Sequence, residues 1–244
     1  MRILIVNPNT TLEMTDKIGI AARAVAAPGT EIVAVNPADG PVSIEGYYDE
    51  AYAVPGLLDE IRKGEAGGVD AHIIACFDDT GLEAARSLAN APVIGIGEAA
   101  FHIASLLAHR FSVVTTLSRS IAAIENNLMK YGLIVRCGRV RASEIPVLEL
   151  DNPNSDASRR IGQEIDRAKT EDAAEAIVLG CAGMADLAAR LSDVHGLPVI
   201  DGVAAAVKLA EGLSGLRLTT SKRGAYTRPR PKAYMGLFSK SAPT

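Results

Sequence analysis

Ala71-His-Ile-Ile-Ala-Cys76-Phe-Asp-Asp-Thr-Gly-Leu82 has a second version further along the chain, Ala176-Ile-Val-Leu-Gly-Cys181-Ala-Gly-Met-Ala-Asp-Leu187. Each version is a short apolar run that ends in cysteine and passes through a turn into an amphipathic stretch. A second apolar run then follows, Pro92-Val-Ile-Gly95 in one copy and Pro198-Val-Ile-Asp201 in the other. The cysteines are 105 residues apart, and 16 residues in one copy and 17 in the other carry the chain from cysteine to proline. A further echo sets Ile3-Leu-Ile-Val-Asn-Pro-Asn-Thr10 in register with Phe111-Ser-Val-Val-Thr-Thr-Leu-Ser118. Short β-branched runs alternating with longer alanine-rich ones predict parallel strands joined by crossover helices, an α/β fold.

Working outward, strands are expected near Arg2–Asn7, Glu31–Asn36, Ala71–Ala75, Pro92–Ile96, Ser112–Thr116, Gly138–Ala142, Ala176–Leu179 and Pro198–Ile200, with helices between them. The repeat divides the 244 residues into two α/β domains, 1–98 and 99–204, with 205–244 returning to the first. Open parallel sheets bind ligands at the carboxyl ends of their strands, where both cysteines would lie. Two such halves packed with approximate two-fold symmetry would bring the thiols face to face.

Composition narrows the function classes. Hydrophobic residues make up 48% and charged residues 22%, enough for an ample core without disulfide or metal. The formal charge of −4 gives no overall reason to expect a nucleic-acid partner, so a small-molecule ligand is expected. The N-terminal Met1-Arg-Ile-Leu-Ile-Val6 lacks the pattern of a secretory signal, and no apolar run is long enough for a membrane span. A cytoplasmic protein without membrane contact is expected. Three scattered cysteines, Cys76, Cys137 and Cys181, fit neither a disulfide framework nor a paired Cys-x-x-Cys metal site.

Taking a proton off one face of a carbon and returning it to the other, without a cofactor, needs a base and an acid on opposite sides of the substrate. Two thiols meet that need. The reference thiol pKa is about 8.5, so help from a helix N-terminus can hold one cysteine as thiolate while its partner keeps the proton. Both cysteines immediately precede an expected helix, whose unpaired N–H groups could also stabilise an enolate oxygen. An isolated cysteine is ordinarily a small buried hydrophobe, and Cys137 is read that way. Matching positions in two repeats set Cys76 and Cys181 apart.

Three motifs, Asn7-Pro-Asn-Thr10, Ala75-Cys-Phe-Asp-Asp-Thr-Gly81 and Leu179-Gly-Cys-Ala-Gly-Met-Ala185, resemble in this order those of hydantoin racemases within the aspartate/glutamate racemase superfamily. The likeness covers nearly the whole chain. It implies two flavodoxin-like domains with the active site between them, racemisation without metal or other cofactor, and a homo-oligomer. Cys76 and Cys181 would then be the catalytic acid/base pair. Amino-acid racemases of that superfamily carry Thr-His or Thr-Glu after the second cysteine, where this chain has Ala182-Gly183. That departure favours a flat neutral ring such as a 5-substituted hydantoin, whose enolate oxygen could accept from the Ala182 and Gly183 N–H groups. Asn9, Thr10, Asp79, Thr80, Thr115 and Thr116 are the candidate partners for the ring amides.

Other readings fare less well. No Gly-x-x-x-x-Gly-Lys loop is present, and Gly95-Ile-Gly97 continues as Glu98-Ala-Ala rather than as a dinucleotide fingerprint. His72, His102, His109 and His195 lack the spacing to complete a metal site with Asp78 and Asp79. Asp78 could instead cap the next helix. The basic tail from Arg217 to Lys240 reads as a solvated or subunit-contacting segment rather than a polyanion-binding arm, and Tyr47 and Tyr48 as cleft cover or surface packing. Allantoin, itself a hydantoin, is the close alternative substrate. A related decarboxylase or isomerase of the same superfamily is a further alternative, though decarboxylation would need one cysteine only, and a non-catalytic binding module would need neither.

Overall fold

The computed structural model describes residues 1–152 and 156–243. The first half contains β1 (Arg2–Val6), α1 (Leu12–Val25), β2 (Glu31–Val35), α2 (Tyr47–Ala66), β3 (Ala71–Ile74), α3 (Leu82–Leu88), β4 (Val93–Gly95) and α4 (Ile96–Leu107). The second half repeats the series as β5 (Phe111–Thr115), α5 (Ile121–Lys130), β6 (Cys137–Ala142), α6 (Ala157–Glu171), β7 (Ala176–Gly180), α7 (Ala188–His195), β8 (Val199–Asp201) and α8 (Gly202–Gly215). All eight expected strands are present. They form two parallel sheets of equivalent order, β2-β1-β3-β4 and β6-β5-β7-β8, the flavodoxin-like arrangement. Ile3 pairs with Ala71 and Phe111 with Ala176, so the two echoes in the sequence are one repeat in one register.

Successive strand residues point to opposite faces of a sheet, and here they enter different cores. Ile3, Ile5 and Ile73 of the first sheet and Phe111, Val113 and Val178 of the second belong to one shared cluster. Leu4, Val6 and Ile74 face outward beneath Leu57 and Ile61 of α2, and Val114, Ile177 and Leu179 face outward beneath Ile161 and Ile165 of α6. The inner faces are therefore joined by a continuous core.

That core is completed by α4 and α8, which pack on each other and touch both sheets. Ala99, Ala100 and Ala104 of α4 and Ala205, Ala206 and Ala210 of α8 are buried there, small side chains that allow close approach. The two helix starts meet at Gly202, where an added Cβ would lie 2.6 Å from the Ile96 carbonyl oxygen. Glycine is required by proximity, because the obstacle is backbone. No helix among the described residues is long and apolar enough to cross a membrane.

Glycine-to-alanine exchange in a helix ordinarily stabilises, by up to about 1 kcal/mol. Gly202→Ala should instead lower stability by about 1–3 kcal/mol through overpacking. The midpoint of urea denaturation is the measurement; an unchanged or higher midpoint would mean that the halves separate there without cost.

Candidate active site

The carboxyl ends of β1, β3, β5 and β7 open on one cleft between the halves. Asn7, Pro8 and Asn9 enter it beyond β1, and residues 75–78 beyond β3. From the other side come Thr115, Thr116 and Ser120 beyond β5, and residues 180–182 at the end of β7. Met14 of α1, with Ile44 and Val147 from the equivalent loops after β2 and β6, supplies the apolar wall. The cleft holds about 440 Å³ of atom-free space, part of it open to solvent.

Cys76 and Cys181 both line this cleft, half-buried and outside any disulfide. Each is delivered by a fully buried strand, β3 or β7, that cannot shift without disturbing the shared core. The Thr80 hydroxyl donates to the Cys76 sulfur at 3.3 Å. Burial, followed by the nearby Asp78 charge, pushes the Cys76 thiol well above its ordinary value. Asp78, in turn, is pushed up to about 7 by burial, with Glu50 and Asp79 as neighbouring like charges. Cys137 lies on β6, paired with Phe111, away from the cleft; burial raises its thiol to about 12. Among the described residues, no three His, Cys, Asp or Glu side chains are grouped so as to hold a metal ion.

The family model described as Asp/Glu/Hydantoin racemase matches residues 3–210. A hydantoin racemase of Rhizobium meliloti is 52% identical over 236 residues, which are 97% of this chain and 98% of that one. The solved allantoin racemase from Klebsiella pneumoniae is 51% identical with a TM-score of 0.97, each chain covered in full. Another, from Pseudomonas fluorescens, is 45% identical with a TM-score of 0.93, covering 97% of this chain and all of that one. The chain belongs to the Asp/Glu/hydantoin racemase family. It is an isomerase.

Several residues singled out in the racemase sequence occupy other places than expected. Asp79 is absent from the cleft lining. Its carboxylate accepts from the Gly97 and Glu98 amides at 3.0 and 2.8 Å and from the Tyr131 hydroxyl at 2.7 Å, so it caps α4 from a distance. The second half caps α8 locally, Asp201 accepting from Val203 and Ala204. Gly95 stands where that aspartate would be in the first half, and an added Cβ there would lie 2.0 Å from Asp79 Oδ1. Thr10 faces the loop after β2, bonding the Pro41 carbonyl. Thr80 meets the cleft only through Cys76, and Gly183 lies behind it, its carbonyl accepting from Lys17. Asn9, Thr115, Thr116 and Ala182 do line the cleft, although the Thr115 hydroxyl is engaged with the Gly180 carbonyl.

Two further expectations are corrected. No helix follows Cys76 directly: α3 begins at Leu82, and Asp78 caps nothing but lines the cleft. Beyond Cys181 the chain makes a 3-10 turn, Ala182–Leu187, before α7. Tyr47 and Tyr48 are exposed outside the cleft, Tyr47 accepting a bond from Asn126. The tail is largely exposed, Leu237 at 95%, although Tyr226 lies against Arg86. Sequence reasoning missed Asn7 and Ser120 as lining residues, yet Asn7 sits in the quoted Asn-Pro-Asn-Thr motif, and Ser120 lies just past the threonines that echo it.

Below pH 7 Asp78 is mostly protonated; above it, its charge opposes thiolate formation at Cys76. Asp78→Asn should therefore move the alkaline rise of Cys76 alkylation by iodoacetamide to lower pH. The rate at pH 8 should increase roughly three- to tenfold. Mass spectrometry of the Cys76 peptide separates it from the other thiols, and an unmoved profile would remove Asp78 as the controlling charge.

Proposed function

We propose that this racemase interconverts the enantiomers of 5-substituted hydantoins by passing a proton between Cys76 and Cys181 through C5 of the ring. The observation that carries this reading is that both thiols, from equivalent strand ends of the two halves, line one cleft. One cysteine, as thiolate, takes the C5 proton from its face, and the electron pair moves onto the adjacent carbonyl oxygen as an enolate. The other, as thiol, then gives its proton to C5 from the opposite face. The two sulfurs exchange protonation states, and exchange with water restores the starting form. Burial of Cys76 favours its thiol form.

The Ala182 amide, at the start of the turn after Cys181, is assigned to the enolate oxygen; Gly183, expected to share that role, lies outside the cleft lining. Ser120 and Thr116 are assigned to orient the ring amides, with Asn9 beside them held by Asn7 and the Thr11 amide. Allantoin is favoured as a second substrate by one feature, the Asp78 carboxyl on the cleft wall, an acceptor suited to the N–H groups of a ureido substituent. The lobes are read as 1–98 with 205–244, and 99–204. In support, α8 lies against α1, β3 and β4. The exposed apolar tail residues Met235, Leu237 and Phe238 support self-association into a homo-oligomer.

A single enantiomer of 5-isopropylhydantoin in D2O should lose optical rotation as deuterium enters C5, above an enzyme-free control. Cys76→Ser and Cys181→Ser should each slow inversion by about 10²–10⁴-fold. Full racemisation by either variant would end the two-thiol mechanism.

A further inference from the structure

Among the hydrogen bonds that join the halves beside the thiols, two are counterparts of each other. Asn127 Nδ2, on α5, donates to the Asp78 carbonyl at 2.8 Å. Lys17 Nζ, on α1, donates to the Gly183 carbonyl, also at 2.8 Å. Asp78 and Gly183 each lie two residues past a thiol, and they are 105 residues apart, the spacing of the cysteines themselves. The helices α1 and α5 are also equivalent, each following the first strand of its half. Each half thus reaches across and holds the turn that carries the other half's cysteine.

A carbonyl in a partly buried turn needs a donor. Here the donor is a half-buried side chain from the opposite half, so the turn is located by that half as well as by its own strand. The turn after Cys76 has further need of an anchor: five residues separate the thiol from α3, and Asp79 within it adopts φ +52°. Proton transfer at carbon is sensitive to such placement, a misplacement of about 1 Å costing on the order of 100-fold.

We infer that Lys17 and Asn127 are positioning residues, each setting from the opposite half where one sulfur lies against the reacting carbon: Lys17 for Cys181, and Asn127 for Cys76. The inference rests on the two-thiol reading. It makes a stereochemical demand, because loosening one turn leaves the other thiol in place. The intact thiol still removes the proton from its own face and, after exchange with solvent, returns deuterium to that face. Delivery from the opposite face fails.

The experiment uses the full-length chain with each enantiomer of 5-isopropylhydantoin in D2O, and chiral separation with mass analysis at early times. Lys17→Met should raise the ratio of deuterium exchange with retention to inversion by about tenfold or more for one enantiomer. Asn127→Leu should do so for the other, and Lys17→Arg, which keeps a cationic donor, should restore the ordinary ratio. Parallel loss of exchange and inversion for both enantiomers, or the same enantiomer preference in both variants, would reduce the pair to a general structural role and overturn the inference. A second measurement needs no substrate. Lys17→Met should change the alkylation rate of Cys181 and leave Cys76 unaffected, with the reverse for Asn127→Leu. Lys17→Gln and Asn127→Ser serve if the first variants fold poorly. Should the wild-type chain fail to racemise hydantoins while the alkylation pattern crosses as described, the substrate reading falls and the positioning stands; equal alkylation changes at both thiols would overturn the positioning.

Discussion

The contact of α4 with α8 governs the rest of the molecule. Each sheet must bury its inner face, and α4 and α8, lying between the sheets, cover both, joined by Met14, Ile18 and Ala22 of α1 and Ile124 and Leu128 of α5. Their alanines let the backbones come close, and Gly202 against the Ile96 carbonyl limits how close. With that spacing set, the strand ends of the two halves stand a fixed distance apart. A shared core of Ile3, Ile73, Phe101, Phe111, Val178 and Val203 resists changes in it, since a close-packed interior has few free volumes to trade.

Within this frame the halves are similar without being the same. The N-terminal amides of α4 and α8 need an acceptor, and the two solutions differ. Asp201 serves α8 from its own N-cap, whereas α4, which begins at Gly95-Ile96, takes the carboxylate of Asp79 from the Cys76 turn. At the position equivalent to Asp79 the second half has Met184, fully buried. One thiol turn is therefore tied by charge-assisted hydrogen bonds to the helix between the sheets, and the other by apolar packing. The stacking of Phe77, edge-on to Phe101 at 5.3 Å, adds a second tie in the first half.

The electrostatics of the cleft follow from this asymmetry. Asp79 directs its carboxylate to α4 and Tyr131, but its neighbour Asp78 turns to the cleft, its proton affinity raised by burial first and then by Glu50 and Asp79. A carboxyl group beside Cys76 that ionises near pH 7 disfavours a second anion there, in keeping with the neutral ring proposed as substrate. This agrees with Ala182-Gly183 beyond the other cysteine, where no side chain is offered to an ammonium or carboxylate group.

From the sequence by itself came the eight parallel strands, their common register and the two thiols at strand ends. Buried parallel strands require contiguous apolar residues, and a repeat in register repeats its strand ends as well. The direction of each polar side chain was another matter. Asp78 and Asp79 are adjacent and chemically identical, yet one lines the cleft and the other caps a helix 18 residues away. Lys17 and the Gly183 carbonyl are 166 residues apart, and neither carries a local signal of the other. Periodicity reports only which face of its own element a residue occupies. What that face meets depends on how two sheets and the helices between them close on each other, and only the tertiary structure decides it.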